Sequence, residues 1–311
     1  MSRAITVGGH RVRLSNEDKV LFPGDGITKG DLVDYYRRIA PVMLPHLRAR
    51  PLVMHRFPDG IDGDGFYQKD APAYFPGWIE RVTVEKEGGT LDHVLCTSAA
   101  DLAYLADQAC ITLHAWLSTA DHVDRPDRIV LDLDPPDGGT ALVRRVARAV
   151  RDVLEQIGLA PFLMTTGSRG FHVVSPVRPE RSFDEVRPLA RDVARVLTAM
   201  DEDHVTLEQR KDKRGGRVFV DYLRNSYAQT QVAAYAVRAL PGAPVAAPIE
   251  WDELGAVDPR RYDIRSVLRR LGQKDDPWKD IARHARSLEG PSKALSRLLD
   301  EWRVGDRARK G

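Results

Sequence analysis

Asp132 and Asp134 close an apolar run, Arg128-Ile-Val-Leu-Asp-Leu-Asp134, that Pro135 and Pro136 bring to a stop. Strand side chains alternate between faces, so carboxylates two residues apart point the same way. Two such charges repel unless a divalent cation neutralises them, and hard oxygen ligands suit magnesium or manganese. Val218-Phe-Val-Asp221 ends a second apolar run. If the two strands are neighbours, three carboxylates converge. Such a set can hold two metal ions about 3.5–4 Å apart, the clamp used in phosphoryl and nucleotidyl transfer. Taken alone the Asp-x-Asp spacing is unspecific, since glycosyltransferases, aspartyl phosphatases and ordinary strand ends also carry it.

Between these runs stands Thr165-Thr166-Gly167-Ser168-Arg169-Gly170-Phe171-His172. Two glycines in a turn between strands let backbone N–H groups face an anion. Hydroxyls of Thr166 and Ser168, the Arg169 charge and His172 add donors. The segment lacks the Gly-Lys-[Ser/Thr] ending of a phosphate-binding P-loop and the G-x-G-x-x-G of a dinucleotide fold. A polar hairpin is the plain alternative. The run Arg210-Lys-Asp-Lys-Arg-Gly-Gly-Arg217 leads into the Asp221 strand, as a solvated turn or as a contact for triphosphate or DNA backbone.

The elements that must position these groups alternate between helix and strand, which favours an α/β fold. Residues 27–47 read as a helix with Thr28 as N-cap and Pro45 near its end. Residues 51–57 alternate as a strand. Residues 98–118 read as one long amphipathic helix capped by Ser98. Helices are expected over 141–158, ended by Gly158, and over 183–200. Strands are expected over 128–134, in the two runs flanking Gly167–Gly170, and over 217–223. The stretch 240–248 is a proline-rich connector. Residues 259–304 read as arginine-rich helices, with Trp251, Trp278 and Trp302 packing onto the main body.

The chain has 311 residues, of which 42% are hydrophobic and 30% charged, enough for a sizeable core. No apolar run approaches the roughly 18 residues of a membrane span, and the start lacks the apolar stretch of a secretory signal. Two cysteines, Cys96 and Cys110, exclude a disulfide scaffold or a cysteine-rich zinc knuckle and suit a reduced, intracellular setting. A net charge of +2 does not advertise nucleic-acid binding, so the distribution of charge matters more than its sum.

The ordered combination of Asp-x-Asp, a T-G-S-x-G-x-H turn and hydrophobic-Asp resembles the archaeo-eukaryotic primase superfamily, and within it the polymerase domain of bacterial ligase D, an end-joining repair enzyme. LSNEDKVLFPGDGITKGDLVDYY, RPLVMHRFPDG, GFYQKDAP, ITLHAWLS and VAAYAVRALPGAPVAAPIEWDEL extend the likeness over roughly residues 10–290. The resemblance implies that Asp132, Asp134 and Asp221 are metal-binding catalytic carboxylates for two Mn2+ (or Mg2+) ions. It implies that Thr166, Ser168, Arg169, Gly170 and His172 line the phosphates and sugar of an incoming nucleotide. Arg214 and Arg238 would bind triphosphate, His114 would sit near the nucleotide, and His55 and Arg56 would line its site. Phe66 would stack on a base. Lys19 and Lys29 match lysines that bind a downstream 5′-phosphate. On residue type alone they are two solvated surface lysines, His114 is a packed or surface histidine, and Phe66 is a core phenylalanine.

Four departures stand out. Arg224 follows Asp221 where the family commonly has glutamine, Thr166 and Arg169 replace serine and lysine, and Tyr67 stands beside Phe66 where two phenylalanines are usual. The implied fold is α/β, a primase-polymerase (RRM-like) core with a mixed sheet flanked by helices. An N-terminal α/β lobe would pack against it across a cleft. One catalytic domain would span 1–311, with an N-terminal lobe over about 1–125, a core over about 126–250 and a helical C-terminal segment over about 251–311. The implied activity is metal-dependent, DNA-directed addition of NTPs or dNTPs to primer 3′ ends at short gaps or breaks, with a preference for ribonucleotides. The chain has no ligase lysine motif and no room for a ligase or nuclease domain. The chain would be either a stand-alone polymerase or a piece of a longer protein; in the first case a separate ligase and end-joining or excision-repair proteins would be partners, in the bacterial cytoplasm and away from membranes. The rival readings are a DNA-end binding and synapsis module, an Asp-x-Asp nucleotide-sugar transferase, and, against Pro136, an aspartyl phosphatase.

Overall fold

The structure, a computed structural model, describes residues 2–302. In chain order it runs through β1 (Ser2–Val7), β2 (His10–Ser15), β3 (Val20–Phe22), β4 (Ile27–Thr28), α1 (Lys29–Leu47), β5 (Leu52–Arg56), β6 (Phe66–Gln68), β7 (Arg81–Lys86), β8 (Gly89–Val94), α2 (Ala99–Asp107) and β9 (Cys110–Trp116). Then come β10 (Arg128–Asp134), α3 (Thr140–Gln156), β11 (Phe162–Thr165), β12 (Phe171–Pro176), α4 (Phe183–Met200), β13 (Val205–Thr206) and β14 (Val218–Asp221). The chain closes with β15 (Thr230–Val232), β16 (Pro248–Ile249), α5 (Ser266–Leu271) and α6 (Glu289–Glu301).

These elements form two compact units. Among the described residues one takes 2–123, 230–247 and 260–279; the other takes 124–229, 248–259 and 280–302. The C-terminal third is thus divided between them.

The first unit is built on an antiparallel sheet ordered β15-β9-β5-β8-β7, with β6 added along β5. Helix α1 starts where the sequence places it. The Thr28 hydroxyl accepts from the Asp31 N–H while the Asp31 carboxylate accepts from the Thr28 N–H, a reciprocal cap that satisfies two otherwise orphaned donors. Leu32, Tyr35, Tyr36, Ile39, Met43 and Leu47 form its buried face, and Tyr36 Oη donates to the Ile111 carbonyl at 2.7 Å, tying helix to sheet.

The long helix expected over 98–118 is two elements. Ser98 caps α2 as expected, with a capping box to Asp101. The helix then stops at Asp107, Ala109 adopts φ +56°, and Cys110–Trp116 continue as a central strand. In the segment CITLHAW, Ile111 and Thr112 are β-branched and every residue but His114 is buried, a fit for an inner strand. His114 therefore stands on a strand, not a helix.

The second unit is built on a mixed six-stranded sheet, β13-β14-β10-β12-β11-β16, in which only the β13–β14 pairing is parallel. Ile129, Leu131 and Leu133 of β10, Val173 of β12 and Val218 and Val220 of β14 are all buried, and α3 and α4 pack against these strands. The mixed α/β architecture, the helices over 140–156 and 183–200, and the strands around Gly167–Gly170 follow the sequence expectation. Trp278 is buried against His46 in the first unit, and Trp251 donates to the Pro161 carbonyl in the second. Both anchor the tail by packing.

Candidate active site

The registers of β10 with its two neighbours decide the geometry. Asp132 is the direct cross-strand partner of Asp221 on β14 and of His172 on β12, and Asp134 is two residues further along β10. Paired residues share a face and so do residues i and i+2. All four side chains therefore project from one face of the sheet, opposite the apolar face that receives the helices.

Each carboxylate has a basic side chain beside it. His172 Nε2 lies 3.4 Å from Asp132 Oδ1, Arg214 Nη1 lies 3.7 Å from Asp134 Oδ2, and Arg224 Nε lies 3.4 Å from Asp221 Oδ2. Arg214 is firmly seated. It donates to the carbonyls of Glu208 and Gln209 and lies 4.1 Å from the centroid of the Phe219 ring. Asp221 Oδ1 also accepts the Leu223 N–H at 2.8 Å. These partners do not balance the charge. Burial, then the neighbouring Asp132, push Asp134 above the ordinary carboxylate range, against the pull of Arg214. Burial likewise raises Asp221, against the Leu223 N–H and Arg224.

Among the described residues no group of three or more His, Cys, Asp and Glu side chains encloses a point as a self-sufficient metal cage. The donor set nonetheless fits divalent cations. It offers hard carboxylate oxygens on one face, under electrostatic strain that a cation relieves. The buried Nδ1 of His172 also has no hydrogen-bond partner there. Magnesium-type ions characteristically take one or two carboxylates and complete their shell with water and substrate phosphates.

Beside Asp134 the same unit opens a cavity of about 230 Å³ lined by Pro135, Pro136, Asp137, Arg169, Lys211, Arg214, Gly216 and Arg217. Four cations against one carboxylate give it a positive lining. The basic run 210–217 is therefore one wall of a concavity rather than an isolated solvated turn.

The Thr166–Gly170 turn is close-fitting. Gly170 has no room for a side chain, since a Cβ there would lie 1.9 Å from the Leu133 carbonyl oxygen. The Thr166 hydroxyl donates to the Gly170 carbonyl and accepts from the N–H groups of Ser168 and Gly170. Two of the N–H groups expected to face an anion are thus turned onto Thr166, which organises the loop. Arg169 projects from it and pairs with Asp137 at 3.1 Å.

The remaining sequence-derived residues belong to the first unit. His55 on β5 and His114 on β9 share a face, with ring centroids 6.3 Å apart. Tyr67 of β6 stacks on His55 at 4.0 Å and 10°. Burial, reinforced by the charge of Arg238, lowers the pKa of His55. Arg56 and Phe66 alternate to the opposite face. There Arg56 lies 5.5 Å from the Phe66 centroid and donates to Gln68, Tyr74 and the Gln108 carbonyl. The structure thus groups His55 and His114 and separates them from Arg56 and Phe66. Lys19 is half-exposed and pairs with Asp59 at 2.8 Å. Lys29 is not a surface lysine. It is buried, and its ammonium meets the Asp107 carboxylate, the Asp107 carbonyl and the Ser15 hydroxyl, each at 3.0 Å. The backbone links the two lysines, with the Lys29 N–H donating to the Lys19 carbonyl.

Sequence reasoning passed over Asn225, and it took Lys211 and Arg217 only as part of the basic run 210–217. The Asn225 amide is buried, accepts from the Val130 N–H at 2.8 Å and donates to the Val130 and Tyr222 carbonyls, pinning the turn after Asp221 to β10. An asparagine four residues past a catalytic candidate gave the only clue.

Fold and site together define an α/β domain that sets three carboxylates on one sheet face beside a basic cavity. The family described as LigD, primase-polymerase domain, matches residues 28–278, and the chain belongs to it. It is therefore a DNA-directed nucleotidyltransferase of a metal-dependent family. The multifunctional non-homologous end joining DNA repair protein LigD of Mycobacterium tuberculosis is 38% identical over 275 residues, covering 86% of this chain and 36% of that protein. The corresponding protein of Pseudomonas aeruginosa is 33% identical over 285 residues, covering 90% and 34%. The chain spans about a third of the length of these relatives. Among solved structures, the polymerase domain of Mycobacterium tuberculosis ligase D in complex with DNA superposes with a TM-score of 0.83 at 36% identity, covering 88% of this chain and 99% of that one. Family membership sets aside the sugar-nucleotide transferase and the phosphatase.

Proposed function

We propose that this chain extends primer 3′ ends at short gaps or breaks in DNA, with Asp132, Asp134 and Asp221 holding two divalent ions, manganese preferred. The observation that carries the reading is the cross-strand register that sets these carboxylates on one face beside an arginine-lined cavity. When bound, the ions would supply Lewis-acid stabilisation of the reacting oxygens. The primer 3′-oxygen forms a bond to the α-phosphorus of the nucleotide, the bond to the bridging oxygen breaks, pyrophosphate leaves, and the hydroxyl proton passes to solvent. The protein's contribution is positioning and charge neutralisation. Arg214 and Arg169 bind phosphate oxygens from one side of Asp134. His172 holds Asp132, and the Thr166–Gly170 turn fixes the direction of Arg169. In the first unit, His55, Tyr67 and His114 offer a ring surface for a base, and Arg238 adds positive charge.

The names of the relatives place them in non-homologous end joining, and we infer the same setting here. The DNA would carry a downstream 5′-phosphate, and a ligase would seal the product in the bacterial cytoplasm. No described helix is long and apolar enough to cross a membrane. Lys19, whose partner Asp59 is strongly exposed, is the more available of the two lysines for that phosphate. Lys29 supports it from beneath through its backbone bond to Lys19.

Extension of a labelled primer on one-nucleotide-gapped DNA tests the reading, comparing 5′-phosphate with 5′-hydroxyl, NTP with dNTP, and Mn2+ with Mg2+. Asp132→Ala should reduce incorporation by at least about a thousand-fold while leaving DNA binding largely intact. Retained extension in that variant would sink the metal assignment. Phosphate-dependent binding without extension by the unaltered protein would favour an end-binding module.

A further inference from the structure

The three carboxylates differ in how firmly their basic neighbours are held. His172 is buried within the sheet beside Asp132. Arg214 is locked by two backbone carbonyls and the Phe219 ring. Arg224 is different. Its side chain is 44% exposed, it meets Asp221 from the outside at 3.4 Å, and its distance is that of an ion pair rather than a tight hydrogen bond. Asp221 keeps one oxygen, Oδ1, bound to the Leu223 N–H, so Oδ2 is the oxygen left to act as a ligand, and Arg224 covers it. The turn that carries Arg224, Leu223–Asn225, is fastened to β10 by two hydrogen bonds between the Asn225 amide and Val130, and a third from that amide to the Tyr222 carbonyl closes the turn. Arg224 can therefore leave Asp221 by side-chain rotation alone, with no movement of the strand or the turn.

We propose that Arg224 is a resident counter-ion of Asp221 that a divalent cation must displace, so that this one arginine weakens metal binding by the carboxylate set. A guanidinium and a metal ion cannot both occupy the outer oxygen of Asp221 at close range, because like charges repel and the oxygen's lone pairs are shared. The inference rests on the reading of Asp132, Asp134 and Asp221 as metal ligands. It adds a residue that touches neither the reacting atoms nor the ion and acts through Asp221.

The test is Mn2+ binding to the intact chain without DNA or nucleotide, read by the loss of the free-ion electron paramagnetic resonance signal and by titration calorimetry. The variants are Arg224→Gln, Arg224→Lys and the double variant Asp132→Ala/Asp134→Ala. Arg224→Gln removes the charge and should tighten Mn2+ binding by roughly three- to thirty-fold, the range spanned by half-exposed to buried ion pairs. Arg224→Lys keeps the charge and should stay near the unaltered protein. Raising the salt concentration should narrow the gap between Arg224→Gln and the unaltered protein, because screening weakens the competing pair. Circular dichroism of Arg224→Gln should match the unaltered chain, since the arginine is half-exposed and Asn225 holds the turn. Unchanged or weaker Mn2+ binding in Arg224→Gln, with binding still lost in the double variant, overturns the counter-ion role alone. Equal binding by the double variant and the unaltered protein overturns the metal assignment on which it rests.

Discussion

Asp134 is held in a state that the fold alone would not choose. Burial and the nearby Asp132 raise its pKa, and Arg214 at 3.7 Å only partly offsets them. A carboxyl whose folded pKa is raised above its unfolded value, about 3.9, destabilises the fold wherever it is ionised. That penalty is present in full above the raised folded pKa and disappears as the pH drops below the unfolded one. Replacing the charge by an isosteric amide removes the penalty at neutral pH. Asp134→Asn should therefore abolish incorporation and yet stabilise the protein. The side chain is 39% exposed, so solvent screening limits the gain to about 1 kcal/mol, or about 2–4 °C in Tm. Thermal melting at pH 7 in the presence of a chelator measures it. Arg214 keeps its two carbonyl partners and the Phe219 ring in the variant, so no buried cation is orphaned. A lowered Tm would show that the Arg214 pair outweighs the repulsion. The same residue scale explains why Gly170 is fixed, since any side chain there collides with the Leu133 carbonyl one strand away.

At the scale of elements, the first unit is closed by a polar latch. His46 near the end of α1 lies 2.6 Å from Asp276 Oδ2, Tyr235 Oη donates to Asp276 Oδ1 at 2.6 Å, and the Trp278 N–H adds a third bond at 3.0 Å. Burial alone would raise the Asp276 pKa, but these hydrogen bonds and the His46 charge outweigh it and hold the carboxyl below its ordinary range. A depressed acid contributes stability that is complete above its unfolded pKa, about 3.9, and is lost as the pH falls through its folded value. Urea midpoints followed from pH 6 to pH 2 should show an acid limb below about pH 4 that Asp276→Asn flattens. At pH 7 the same variant should cost about 1–3 kcal/mol, and an unchanged acid limb would remove the latch from the account. None of this was legible in the sequence, because the three partners lie 230 and 41 positions from Asp276 or next to it. What was legible were features written in local chemistry. The Thr28 and Ser98 caps, the apolar runs ending in Asp134 and Asp221, and the glycines of the 167–170 turn each announce themselves by residue type. The helix misread over 98–118 shows the limit. Its break falls at Gln108-Ala109, where no glycine or proline marks the turn, and Ala109 takes φ +56° under tertiary packing. Likewise Phe66 and Tyr67 are neighbours in sequence, but strand alternation sends only Tyr67 to His55 and His114.

On the scale of the whole chain, 47 basic and 45 acidic residues leave a net charge of only +2. Long-range attraction of a polyanion cannot come from that sum, so phosphate recognition has to be local. Four cations gather in the cavity of about 230 Å³ next to Asp134, three of them, Lys211, Arg214 and Arg217, from the loop that leads into β14. A DNA backbone asks for an extended cationic stripe, because its phosphates recur along the strand. A single concave pocket lined by four cations suits the compact terminal phosphates of a nucleotide instead. The two assignments separate by salt and by ligand. Lys211→Gln/Arg217→Gln should weaken NTP binding by about 10–100-fold, the loss of two charge-assisted hydrogen-bonding groups, and should raise KM with little change in kcat at saturating nucleotide. The slope of log affinity against log salt for gapped DNA should stay unchanged. Were the two residues backbone ligands, that slope would shrink by about one unit for each cation removed, and NTP affinity measured without DNA would not move. Fluorescence anisotropy of labelled DNA across a salt series, beside calorimetric NTP titration, distinguishes the outcomes in one pair of proteins. On the proposed reading, a chain of near-zero net charge would concentrate its anion affinity where the leaving pyrophosphate forms.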